Sequence, residues 1–141
     1  MLNQLTVDVT FSGLVGGAAG AAHIHCCTAP GTSIGVAVPF PSFPATTSGA
    51  YSHTFDLLDP VIYTAGPTGF LTVFGGGTAA GAEAALITGL NAGRAYVNIH
   101  NVTFPGGEIR GFAALVPEPA SLALLGIGLA GFGFSRQRKL N

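Results

Sequence analysis

The sequence predicts an all-β domain with many tight turns, followed by a C-terminal hydrophobic helix that is no part of the domain's core. Three observations carry this reading. Apolar and polar residues alternate with period 2 in several short stretches, the pattern of a half-buried strand. Val, Ile, Phe and Tyr recur in brief runs broken by turn residues, with 22 Gly and 9 Pro in 141 residues. After Leu115 the composition changes abruptly to an uninterrupted apolar run.

The elements follow in order. Leu5, Val7, Val9 and Phe11 alternate with Thr6, Asp8, Thr10 and Ser12 in a first strand that Gly13 ends. No basic n-region or apolar h-region precedes it, so these residues hold no signal peptide. Gly16 to Ala22 is small and flexible. In Ala22-His23-Ile24-His25 the two histidines are two apart, which in a strand puts both on one face and Ile24 on the other. Pro30-Gly31 marks a turn. Ile34 to Val38 is a β-branched run that Pro39 ends. Pro39, Pro41 and Pro44 remove ladder donors, so this segment is no central strand. Tyr51 to Leu57 alternates as a strand, and Asp59-Pro60 opens the next loop. Tyr63 and Phe70 to Phe74 favour extended structure up to Gly75-Gly76-Gly77. Residues 78–90 form the one plausible helix of the body, with Gly89 as a candidate C′ glycine.

Tyr96 to Phe112 reads as a β-hairpin turned by Pro105-Gly106-Gly107. One pleat face carries the polar set Asn98, His100, Glu108 and Arg110. Glu108 and Arg110 are two apart, and the expected role is an ion pair closing that face. A general acid/base role for Glu108 lacks a second acid beside it. The chain has no G-x-S-x-G, Walker-type loop or dinucleotide fingerprint, and Gly75-Gly76-Gly77 reads as a turn. The body is therefore expected to be non-enzymatic.

Charged residues are 8% of the chain, against roughly 25% in ordinary soluble domains. Before Pro117 the acids are Asp8, Asp56, Asp59, Glu83 and Glu108, and the bases are Arg94 and Arg110. An acidic body without a basic stripe argues against nucleic acid as a partner. The remaining bases, Arg136, Arg138 and Lys139, follow the apolar run directly, as expected of a membrane stop on the cytoplasmic side.

His23, His25 and His100 are three imidazoles that can hold Zn²⁺ or Cu²⁺ with a position left open, and Cys26 or Cys27 can add a thiolate. The competing reading is that they hydrogen-bond to neighbours and to Glu108 within the sheet. His53 has no matching motif. Cys26 and Cys27 are adjacent, and a vicinal ring, an inter-chain bridge and free thiols are all open to them.

The chain divides into a body (1–115), a linker (116–121) and a tail (122–141). The uncharged run is about 22 Å long as a helix, short of the ~20 residues that usually span a bilayer. It has no polar face and is rich in glycine (Gly126, Gly128, Gly131, Gly133), which membrane helices accept. Flanking residues supply the missing length, with snorkelling bases.

Val116-Pro117-Glu118-Pro119-Ala120-Ser121, the glycine-bearing apolar run and the basic end resemble the PEP-CTERM sorting signal. The resemblance implies a precursor held in the inner membrane. An exosortase-type enzyme would cut it near Val116, Pro117, Glu118 and Pro119 and pass it outward, in a Gram-negative bacterium that makes exopolysaccharide. The body resembles the CHRD (chordin-type) domain in Val9-Thr10-Phe11-Ser12-Gly13-Leu14, Ala21-Ala22-His23-Ile24-His25, Leu90 to His100, and Pro105-Gly106-Gly107-Glu108-Ile109-Arg110-Gly111. That resemblance implies an immunoglobulin-like antiparallel β-sandwich. The animal members sit in extracellular proteins that bind growth factors. Members of that family usually begin with another strand or two and a secretory signal, so Met1 is expected to be an internal start of a longer precursor.

The expectation is thus an exported, non-enzymatic module, transiently anchored in the inner membrane and then released to the cell surface or matrix. There it binds a polymer such as exopolysaccharide, or another surface protein, without a cofactor. The alternative is a Cu or Zn protein, or metalloenzyme, built on His23, His25 and His100.

Overall fold

A computed structural model describes residues 3–29, 35–114 and 116. Six strands run in chain order: β1 (Gln4–Phe11), β2 (Ala21–Cys26), β3 (Val36–Pro39), β4 (Gly49–Asp56), β5 (Ala95–His100) and β6 (Ile109–Phe112). β1 pairs with β4 in one sheet, and the other has the order β3-β2-β5-β6. Every pairing is antiparallel. The architecture is the expected antiparallel β-sandwich. Pro39 ends β3, an edge strand, where its missing donor costs no ladder bond.

The alternation read from β1 is observed: Leu5, Val7, Val9 and Phe11 face inward while Gln4, Thr6, Asp8 and Thr10 are exposed. The register places Val9 opposite Tyr51 and Leu5 opposite Phe55 on β4. From the larger sheet Ile24, Val38 and Ile99 complete the core. Phe40 stacks on Tyr51 at 4.9 Å and Phe11 on Phe43 at 5.1 Å, so the proline-rich segment after β3 contributes rings to the core. Ile24 is 2% exposed, and deleting most of such a side chain costs about 2–5 kcal/mol.

The outer edges of β1 and β6 carry no strand partner among the described residues. Between them runs a groove of about 980 Å³, lined by residues including Leu5, Val7, Val9, Val97, Ile99 and Ile109.

Two expectations are corrected. Residues around Phe70 are not extended: Pro60–Ile62 forms a 3₁₀ turn and Phe70–Val73 a short helix, α1. The Asp59 carboxylate accepts from Val61 N–H at 3.0 Å, and proline at the first helical position suits the turn. Phe70 stacks on Phe74 at 5.0 Å, a pair spaced i, i+4, and on Tyr63 at 5.9 Å. Those ring contacts override the strand preference of the same residues. The expected helix is present as α2 (Ala79–Asn91), with the Thr78 hydroxyl accepting from Gly81 N–H at 3.1 Å. Gly89, however, lies inside α2 and does not end it. The left-handed residue after the helix is Gly93, at φ 64°.

The hydrophobic tail expected over 122–141 lies outside the described residues. No helix among the described residues is long and apolar enough to cross a membrane.

Candidate functional site

Strand alternation divides the β2–β5–β6 surface into two faces. Ala22, Ile24 and Cys26 on β2 turn to the core, at 0–2% exposure. The opposite face receives His23 and His25 from β2 and Tyr96, Asn98 and His100 from β5. The register sets His23 opposite Asn98, His25 opposite Tyr96, and His100 opposite Ala21. His23 and His100 are therefore diagonal neighbours, within reach of long side chains. Ala21 carries no bulk, and the two imidazoles close to 4.6 Å between centroids. His23 and His25 meet edge to face at 5.4 Å. One ring nitrogen from each of His23, His25 and His100 lies within 4.8 Å of the others. His100, which follows His25 by 75 positions in sequence, is thus gathered with His23 and His25 at one spot.

Each ring is positioned. The imidazole of His25, 8% exposed, stacks on Tyr96 at 4.8 Å with only 5° between planes. Arg110 in turn lays its guanidinium over the Tyr96 ring at 5.0 Å. His100 Nδ1 is 2.8 Å from the Pro105 carbonyl oxygen. A carbonyl only accepts, so Nδ1 carries a proton, and in the neutral ring the lone pair lies on Nε2. His100 Nε2 and His23 Nδ1 are both buried, and neither has a hydrogen-bond partner among the described residues. Each such orphan typically costs about 1–3 kcal/mol. His23 is held neutral, its pKa pushed down to about 4, first by burial and then by His100 and His25 beside it.

The hairpin loop is built from the same face. Asn98, 3% exposed, donates from Nδ2 to the Gly106 carbonyl at 3.2 Å. With His100 on Pro105, β5 thereby grips both central residues of the turn. Gly107 adopts φ 103°, and a Cβ there would run into the Asn98 amide, so only glycine fits.

Glu108 does something other than the expected ion pair. Its Oε1 accepts from Val15 N–H at 2.6 Å, both its oxygens lie within reach of Gly16 N–H, and Oε2 accepts from Asn101 Nδ2. Those donors saturate the carboxylate, while Arg110 is taken up by the Tyr96 face. The two charges therefore do not pair, and the hydrogen bond of His100 goes to the Pro105 carbonyl rather than to Glu108. Glu108 instead ties the hairpin to the loop after β1.

Asn101 was not singled out in the sequence. Its Oδ1 accepts from Thr103 N–H at 3.1 Å and Phe104 N–H at 2.9 Å, while Nδ2 reaches Gly17 O at 3.4 Å and Glu108. An asparagine directly after a strand and two residues before a threonine is a side-chain turn signal that could have found it.

Cys26 and Cys27 form a vicinal disulfide, with Cys27 at φ 102°. Neither sulfur is a thiolate, so the cysteine ligand considered beside the histidines is excluded. The ring packs on α2 at Gly89, where an added Cβ would collide with both sulfurs. His53 lies on β4 among Tyr51 and Phe55, apart from the other histidines.

Comparison with known proteins adds the assignment. A family model for the CHRD domain matches residues 2–113. The chain belongs to the CHRD domain family. A second match, to the PEP-CTERM protein-sorting motif, covers residues 115–139. A CHRD domain carrying this motif is an exported protein, recognised by an exosortase-type enzyme. No curated protein and no solved structure gives a significant match.

Proposed function

We propose that this CHRD domain is a non-enzymatic module delivered to the cell surface or extracellular matrix, where it binds a polymer or another surface protein. The observation that carries this is the order of the two matches: a CHRD match at 2–113 is followed at once by a sorting motif at 115–139. Residues 1–115 are the functional body, 116–121 the processing linker and 122–141 a transient inner-membrane anchor. Val116, Pro117, Glu118 and Pro119 mark the processing region. Arg136, Arg138 and Lys139 hold the cytoplasmic end. In a Gram-negative host the polymer is an exopolysaccharide.

The test is a tagged chain expressed in a bacterium that has an exosortase, beside the triple variant Pro117→Ala, Glu118→Ala, Pro119→Ala. The expected result is release of a shortened wild-type protein and retention of the full-length variant in the inner membrane. Equal release of both overturns the route. Binding of the released protein to purified exopolysaccharide tests the ligand, and no retention on it removes the polymer reading.

A further inference from the structure

We propose that His23, His25 and His100 form a binding site for one divalent ion of the late first-row transition series, Cu²⁺ ahead of Zn²⁺. The proposal does not rest on the export route.

Three observations converge on it. Three imidazoles, and no carboxylate among them, offer one nitrogen each within 4.8 Å. Imidazole is a ligand for Zn²⁺ and Cu²⁺ rather than for Mg²⁺ or Ca²⁺, which take oxygen. The Pro105 carbonyl at 2.8 Å fixes the His100 tautomer and ring orientation, the job an outer partner does for a metal-binding histidine. Buried nitrogens of His23 and His100 are orphaned among the described residues, in a chain that otherwise satisfies Asn98, Asn101 and Glu108. An ion bound there would take up the nitrogens of His23 and His100 that no donor among the described residues serves.

The spacing sets a condition. Nitrogens about 2.0–2.1 Å from a tetrahedral ion lie about 3.3 Å apart. The three nitrogens therefore have to close by about 1.5 Å at most on loading. Three protein ligands leave at least one coordination position for water or an exchangeable ligand. Cu²⁺ binds more tightly than Zn²⁺ at a given nitrogen site. Because the ligands come from β2 and β5, the ion would also cross-link the two central strands of the larger sheet.

A bridging water would satisfy the same orphaned nitrogens, so the experiment has to separate the two. The full chain, held in detergent micelles and stripped with chelator, is titrated calorimetrically with Cu²⁺ and with Zn²⁺. His23→Asn, His100→Asn and His53→Asn are titrated beside it. One ion per chain is expected with sub-micromolar affinity. Both site variants should lose about 100-fold or more, at or above the 10–100-fold attached to outer-shell partners, and His53→Asn should match wild type. Electron paramagnetic resonance of the Cu²⁺-loaded wild type should show hyperfine splitting from three nitrogens, a readout that does not depend on any variant folding. Binding no tighter than micromolar, a spectrum without nitrogen splitting, or an equal loss in His53→Asn would overturn the site.

Discussion

His100 Nδ1 lies 2.8 Å from the carbonyl oxygen of Pro105, so the turn that closes the β5–β6 hairpin also orients the imidazole. Asn98 holds the next carbonyl, that of Gly106, at 3.2 Å. Loop and site are therefore one structural unit: whatever loosens the turn releases the ring.

Glu108 should be a stability residue. Its carboxylate serves Val15, Gly16 and Asn101 together. Glu108→Ala leaves those donors unserved and should cost about 2–3 kcal/mol, because hydrogen bonds to a charged group are worth roughly 1.5–3 kcal/mol each and are partly replaced by water at this half-buried position. Glu108→Gln should cost less, since one amide oxygen can still accept. Denaturant unfolding of the three proteins checks the order; equal midpoints for wild type and Glu108→Ala would refute it.

Gly89→Ala should destabilise the fold by about 1–3 kcal/mol through overpacking against the Cys26–Cys27 ring. Elsewhere in an exposed helix interior the same change would stabilise by about 0.5–1 kcal/mol. Thermal melts of the variant decide the sign, and a raised melting temperature would show that α2 does not press on the disulfide.

The thiol count follows from the same ring. Oxidised protein unfolded in denaturant should react with no equivalent of a thiol reagent, because both cysteines are bonded within one chain. After reduction it should react with two, and non-reducing electrophoresis should show monomer. A dimer that reductant dissolves would mean an inter-chain bridge instead.

Alkaline stability should depend on Tyr63. Its hydroxyl is buried and donates to Leu57 O at 2.9 Å, and its pKa is raised from 10.0 to about 12, mainly by burial and then by Glu83 and Asp56. Below pH 10 both folded and unfolded chains keep the proton, so nothing changes. Between pH 10 and 12 the unfolded chain loses it while the folded chain retains it, and stability falls. Tyr63→Phe should flatten that fall, leaving the smaller contribution of Tyr51, whose pKa burial also raises. Unfolding free energies measured from pH 8 to 12 test this; parallel curves for the two proteins would assign the loss elsewhere.

Much of the sandwich was legible in the chain. β1, β4 and the β5–β6 hairpin declare themselves by alternation, because a half-buried strand must send every second side chain inward. His23 and His25 were readable as neighbours for the same reason. The Phe70 segment was misread because local preference for extended structure gave way to ring stacking with Tyr63 and Phe74, contacts that sequence spacing alone does not weigh. Gly89 was misread because its reason for being glycine is a disulfide more than 60 residues earlier.

By itself, then, the sequence determined that strands would form and which faces they would bury, which are local properties of periodicity; the sorting signal after the domain was legible through its resemblance to a known motif. Only the tertiary structure decided which charges and imidazoles meet. Strand register, not spacing along the chain, brings His100 onto His23. The loop after β1 reaches Glu108 before Arg110 can, since two backbone donors and an amide satisfy a half-buried carboxylate better than a solvated guanidinium does.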